Sequence, residues 1–252
     1  GATIEKGVAG LRVRLHGERA HGCRTVLETA YRDPEGQEVP PVAGFAGKRQ
    51  VHAAFVTPKT ESSVLAATLA PYRLGGDIPR IAEEEHEGVL KLTFDGGAKL
   101  YIRTAIGGSE GFAATAAGPV CEDDPASPVG LDGIRFAGAA AAAKGDTFLL
   151  VGGTWLEKDG VVLARCDVPS TIVRGDGMLS ISAQDDAIVD LEEPGPVLLF
   201  DADSGKAIRP GGAAEENMSR RGVHWTQSDG RLTIRTERGQ RTFRIAAGGE
   251  QA

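Results

Sequence analysis

An Asp-Gly or Gly-Gly pair followed by a short alternating run returns four times along this chain. No other feature limits the fold as much. The unit stands at Asp95-Gly-Gly-Ala-Lys-Leu-Tyr-Ile-Arg103, Asp159-Gly-Val-Val-Leu163, Asp176-Gly-Met-Leu-Ser-Ile-Ser182 and Asp229-Gly-Arg-Leu-Thr-Ile-Arg-Thr236. Asp-Gly accepts the positive φ angles of tight hairpin turns. Strict alternation then gives the following strand one buried and one solvated face. The expectation is a stack of antiparallel hairpins. The units are unevenly spaced, so a propeller or solenoid of fixed period is not supported.

The totals agree with that expectation. The chain has 252 residues, enough for one large β domain or two small ones with a real core. Glycine is frequent (35 residues) and aromatics are few (5%), as in a protein of many tight turns. No apolar run approaches the roughly 20 residues that span a bilayer, so no membrane partner is expected. The alanine run Ala137–Ala143 is too short and too weakly apolar to insert. A start at Gly1-Ala2 suggests a processed protein, a tag remnant or an excised domain. The three cysteines, Cys23, Cys121 and Cys166, have no CxxC spacing, which argues against a disulfide scaffold or a cysteine zinc site. A net charge of -7 disfavours a general nucleic-acid binder.

Along the chain, alternation predicts strands at Leu11–Leu15, Arg24–Tyr31, Gln50–Thr57 and Ser63–Leu69. Pro71–Asp77 reads as a loop, and Glu83–Glu87 as a solvated strand edge or loop, with one exposed helical turn as the alternative. Val89–Phe94 and Lys99–Thr104 give the clearest hairpin. Residues 107–130 are rich in Gly, Ala, Pro and acids, and read as a long connection between two sheet regions, 1–106 and 131–252, packed as one unit. In the second region strands are expected at Gly133–Ala137, Thr147–Val151, Trp155–Lys158, Val161–Cys166, Ser170–Arg174, Met178–Ala183, Ala187–Leu191, Pro196–Asp201, Arg231–Thr236 and Arg241–Ala246. No segment keeps a helical period beyond two turns. The fold class is all-β: a large antiparallel sandwich or multi-sheet stack with little helix.

Motifs that carry chemistry are scarce, and no catalytic residue is assigned. The five histidines (His16, His21, His52, His86 and His224) form neither HxH nor HExxH, so no metal and no cofactor are expected. His52, in an apolar strand, and His224, beside Trp225, are the two of interest. Asp201-Ala-Asp-Ser-Gly205 opens like a calcium loop, but the twelfth position is Gly212, and a β-turn is the better reading. Neither GxSxG nor a phosphate loop is present.

Charge is uneven. Asp176–Glu216 carries ten acidic and two basic residues, whereas Met218–Ala247 carries seven arginines against Asp229 and Glu237. Aromatics stand near arginines twice: Tyr72 with Arg73, and Trp225 after Arg220, Arg221 and His224. In Arg231-Leu-Thr-Ile-Arg235, alternation puts Arg231 and Arg235 on one face. Aromatic faces stack on sugar rings and arginine forks grip carboxylate or sulfate, so these eight residues are candidates for binding an acidic polysaccharide. The competing expectation is that the arginines pair with the acidic stretch and cancel the patch.

One stretch of the chain resembles a known family. Val51–Pro58 leads into Ser63–Arg73. Asp146-Thr-Phe-Leu-Leu150 and Trp155-Leu-Glu-Lys-Asp-Gly-Val-Val-Leu163 follow, then the Asp176–Ser182 strand and an acid-rich stretch ending in Pro194-Gly-Pro-Val-Leu-Leu-Phe-Asp201. This order is similar to the C-terminal β-sheet region of heparinase II/III-like polysaccharide lyases. The resemblance implies a layered antiparallel β domain that partners a helical catalytic toroid, a periplasmic or secreted location, and a chain inactive alone. Without the resemblance, a cytoplasmic location is the default. A structural or oligomerisation domain with no carbohydrate role is the alternative.

Overall fold

A computed structural model describes residues 2–6, 9–16, 24–28, 31–32, 38–39, 52–56, 66–73, 75–77, 79–104, 113–115, 118–120, 128–211 and 222–248. The fold is all-β, and no helix occurs among these residues. The chain divides into two compact units, Gly1–Arg80 and Ile81–Ala252. The division falls well before the connection expected at 107–130. The reason is pairing: the hairpin of residues 89–103 is laddered to residues 140 and 141 and so belongs to the large sheet.

In the first unit, β1 (Ala2–Lys6), β2 (Ala9–His16) and β7 (Ala66–Arg73) form a three-stranded antiparallel sheet in that order. Two short ladders accompany it, β3 (Arg24–Glu28) with β6 (His52–Val56) and β4 (Tyr31–Arg32) with β5 (Glu38–Val39). The strand expected to stop at Leu69 runs on through Pro71, Tyr72 and Arg73. Pro71 lies opposite Leu11 in β7, which pairs only with β2 in its sheet, and an edge strand can lack one ladder donor.

The second unit is built on one 15-stranded antiparallel sheet. Its centre is a long hairpin, β16 (Thr147–Lys158) and β17 (Val161–Gly175). Each was expected as two short strands. Each is continuous, but its two halves have different neighbours. The first half of β16 pairs with β15 (Ala140–Lys144), and its second half with β14 (Ile134–Ala137). The first half of β17 pairs with β19 (Ala187–Glu192), and its second half with β18 (Met178–Ala183).

Two leaves therefore grow from one hairpin. The first runs β8 (Ile81–His86), β9 (Val89–Phe94), β10 (Lys99–Arg103), β15, β16, β17, β18, β24 (Gly239–Ala247), β20 (Val197–Asp201), β21 (Ala207–Ile208). The second runs β13 (Val129–Leu131), β14, β16, β17, β19, β23 (Arg231–Thr236), β22 (His224–Ser228). The small ladder of β11 (Ala113–Thr115) and β12 (Gly118–Val120) is separate. The acidic run at residues 83–87 forms most of β8, an exposed strand at the end of its leaf. Charges on an end strand oppose unwanted pairing.

Turn chemistry fixes the registers. Asp159, Asp176 and Asp229 have φ near 51–52°, and each precedes a glycine at positive φ in a two-residue loop. Asp132-Gly133 does the same between β13 and β14. The bend between leaves is set by Gly152 and Gly153. Gly152 has φ of 53°, and a Cβ on Gly153 would lie 2.3 Å from the Ala137 carbonyl oxygen. The ladder between β16 and β17 shifts register at this point. Bulges and glycines bend strands in this way.

The inner faces of both leaves feed one core. Phe148, Leu150, Ile172, Leu179, Ile181 and Phe243 come from the first leaf. Phe136, Leu156, Ala164, Val189, Leu191, Leu232 and Ile234 come from the second. Burial of each large side chain stabilises by roughly 1.5–3 kcal/mol, so the core is the main stabilising element of this unit.

Candidate functional site

The outer face of the second leaf collects several of the candidate residues. In β23, Leu232, Ile234 and Thr236 are buried while Arg231, Thr233 and Arg235 are half-exposed on the opposite face. Register extends this face across the leaf. Trp155 of β16 lies opposite Arg165 of β17, Arg165 opposite Asp190 of β19, Asp190 opposite Thr233, and Thr233 opposite Thr226 of β22. One row thus crosses five strands. In the flanking rows Arg235 sits between Ile188 and His224, and Arg231 between Glu192 and Ser228.

The guanidiniums on this face have different duties. Arg231 donates to Asp190 Oδ2 from Nε (3.0 Å) and Nη2 (2.8 Å). It also donates to the carbonyls of Asp190 (3.1 Å) and Val162 (2.6 Å). The Thr233 hydroxyl completes the carboxylate from 3.3 Å. The pairing of arginines with the acidic stretch is thus present at Arg231. Arg135 of β14 reaches Glu157 at 3.4 Å, and its guanidinium carbon stands over the Trp155 ring, 5.3 Å from the centroid. Cations lie favourably there because the ring face is electron-rich. Arg165 is exposed and makes no ion pair among the described residues.

The remaining candidates fall elsewhere. Trp225, read as a sugar platform, is 5% exposed and belongs to the core. Its indole N–H donates to the Ile208 carbonyl at 2.8 Å, linking β22 to β21 across the two leaves. A buried ring of this kind offers no face to a surface sugar. Its neighbour Gln227 faces the same side: its amide oxygen accepts from the Val197 N–H and its amide nitrogen donates to the Glu193 carbonyl, both at 3.1 Å. His224 is exposed beside Arg235. Tyr72 and Arg73 end β7 in the other unit, half-buried and exposed, not in a loop. Arg220 and Arg221 lie outside the described residues, as does the side chain of His52.

The aromatic partner on the arginine face is therefore Trp155. Proximity along the chain points to Trp225, whereas the ring set among the arginines across strands is Trp155. A sheet brings them together across strands. The available signal was the alternation in Thr154-Trp-Leu-Glu157, which sets Trp155 and Glu157 opposite Leu156.

Three other polar features lie away from this face. Lys91 contacts Glu84 and Asp132, and Lys99 also reaches Asp132, at 3.2 Å. These bonds hold Lys91 above the ordinary lysine range and Asp132 below the carboxylate range, while burial raises the neighbouring Tyr101. The group ties the β13–β14 turn to β9 and β10. Burial pushes the Cys166 thiol up to about 12, against a weaker opposing bond from Ser170. Asp201 accepts from the Ser204 hydroxyl (2.6 Å) and N–H (2.8 Å), which lowers its pKa and closes a β-turn. Among the described residues no three His, Cys, Asp or Glu side chains gather to hold a metal ion. No described helix is long and apolar enough to cross a membrane. No protein-family model matches the chain, and no curated protein matches it.

Proposed function

We propose that the chain is a non-catalytic β-sheet module that holds an acidic polysaccharide against the outer face of its second leaf, as part of a polysaccharide-lyase-like protein. The observation that carries this reading is the placement of Arg135, Arg165 and Arg235 on one solvent-facing surface with Trp155. Stacking on the indole and charge-assisted bonds to the guanidiniums are the two contacts such a polymer needs. In this reading the module works outside the cytoplasm, beside a helical catalytic domain, and cleaves no polysaccharide alone.

The test is electrophoresis through native gels cast with acidic polysaccharides. Retardation is expected at low salt and should fade as salt rises, because exposed charges are screened beyond about 10 Å at 0.1 M. Unchanged mobility in every acidic polymer at low salt rejects the reading.

A second reading, a packing or oligomerisation domain, draws on the first leaf. Val173 (46% exposed), Met178 (38%) and Leu198 (38%) all point away from the core. If packing is the role, replacing all three by serine changes the sedimentation behaviour of the chain and leaves gel retardation alone.

A further inference from the structure

We infer that Trp155 floors a subsite for one carboxylated sugar, flanked by Arg165 and Arg135, and that the carboxylates around it reject polysulfated chains. The inference rests on the glycan-binding reading above and adds a place and a charge density to it.

The place follows from register. Trp155 and Arg165 are directly opposite on neighbouring strands, so their Cβ atoms are about 5 Å apart. A pyranose stacked on the indole carries its ring substituents to the edge of that ring. A carboxylate on the same sugar then reaches a guanidinium one strand away. Arg165 suits this task because its side chain is exposed and makes no ion pair among the described residues. Arg135 is the movable flank: its side chain is 56% exposed and its bond to Glu157 is long, at 3.4 Å. It can leave Glu157 for a sugar oxygen while keeping its position near the ring.

The charge density follows from what stands next to each guanidinium. Asp190 lies opposite Arg165 on its far side, and Arg231 and Thr233 fix that carboxylate in place. Glu157 stands beside Arg135. An anion at Arg165 is favoured, and a second anion a few ångströms farther along meets a carboxylate. Like charges at such distances repel, and juxtaposed like charges set specificity. A chain with one carboxylate per sugar fits the row, and a chain with several sulfates per sugar does not.

The experiment uses the intact chain and three polymers: polygalacturonate, dextran sulfate and uncharged dextran. Binding is read by tryptophan fluorescence, since Trp155 is half-exposed while Trp225 is buried. Expected is a fluorescence change with polygalacturonate, a weaker response to dextran sulfate at the same salt, and none with dextran. Arg165→Gln should weaken polygalacturonate about tenfold, the loss of one charge-assisted bond. Trp155→Ala removes the reporter itself, so its binding is read by retardation in polygalacturonate gels, which should weaken while the fold is retained. Arg165→Gln is the safer variant, because the side chain it removes is exposed.

Polygalacturonate binding unaffected by either substitution overturns the subsite and leaves glycan binding standing. Tighter binding of dextran sulfate than of polygalacturonate overturns the charge filter. No response to either acidic polymer overturns the subsite together with the reading on which it rests.

Discussion

At the scale of single residues, Arg231 and Arg165 show how one residue type serves two ends on one face. Arg231 is engaged by a carboxylate and two carbonyls, which leaves it little capacity for an outside anion. Arg231→Ala is expected to lower stability by about 1–3 kcal/mol, because it strands Asp190 with the hydroxyl of Thr233 as its remaining bond from this group. Arg231→Lys should recover part of that loss, since an ammonium cannot fork across the carboxylate and both carbonyls. Urea unfolding measures both, and an unchanged midpoint for the alanine variant contradicts the assignment.

Cys166 gives a prediction with a defined sign. Burial pushes its thiol up to about 12 in the folded chain, from an ordinary value of 9.0. A raised folded pKa means that stability is intact below about pH 9 and falls as pH climbs toward 12. Lys91 and Tyr101 are raised as well and add to the same alkaline loss. Cys166→Ser should flatten part of the stability profile above pH 9, and native Cys166 should resist alkylation at pH 8. Rapid alkylation at Cys166 itself in the folded chain, located by peptide mapping, contradicts the buried, neutral thiol.

At the scale of elements, Gly153 is the position where a single methyl matters most. Its Cβ would also meet Gly138 Cα at 2.9 Å and Leu150 Cδ1 at 2.7 Å. Gly153→Ala should cost about 3 kcal/mol or more, since backbone on one side cannot move aside. A midpoint of chemical unfolding within error of the parent refutes this tight crossing.

The same region marks the boundary of what alternation can reveal. Met178–Ala183 and Arg231–Thr236 were legible to the residue, because an Asp-Gly turn starts each one and strict alternation continues it. The continuity of β16 and β17 was not. Glycine and proline punctuate a linear sequence, yet Gly152, Gly153 and Pro169 lie inside strands that continue. The outer-face row was hidden for a related reason. Trp155, Arg165, Asp190 and Thr233 are neighbours only through the register of four strands, and local pattern does not contain that register.

At the scale of the whole molecule, the two units divide the chain at Arg80/Ile81. A fragment spanning 81–252 retains β8, β9 and β10 and should unfold cooperatively with a β-type far-UV spectrum. A fragment spanning 131–252 loses the partner of β15 and exposes an unpaired strand edge, so it should aggregate or unfold at lower denaturant. Equal stability of the two fragments would show that β10 contributes nothing to the large sheet.

The shared hairpin gives the second unit the mechanics of a creased card. Both leaves are cut from the same strip, and the crease runs through Gly152 and Gly153 on one strand and past Ser170 on the other. Neither leaf can be peeled off while the other stays whole, because peeling one pulls on strands that anchor both. Amide protons in β16 and β17 should therefore exchange on a single, slowest clock, whichever leaf they serve, and only the outer strands such as β8 and β22 should keep faster clocks of their own.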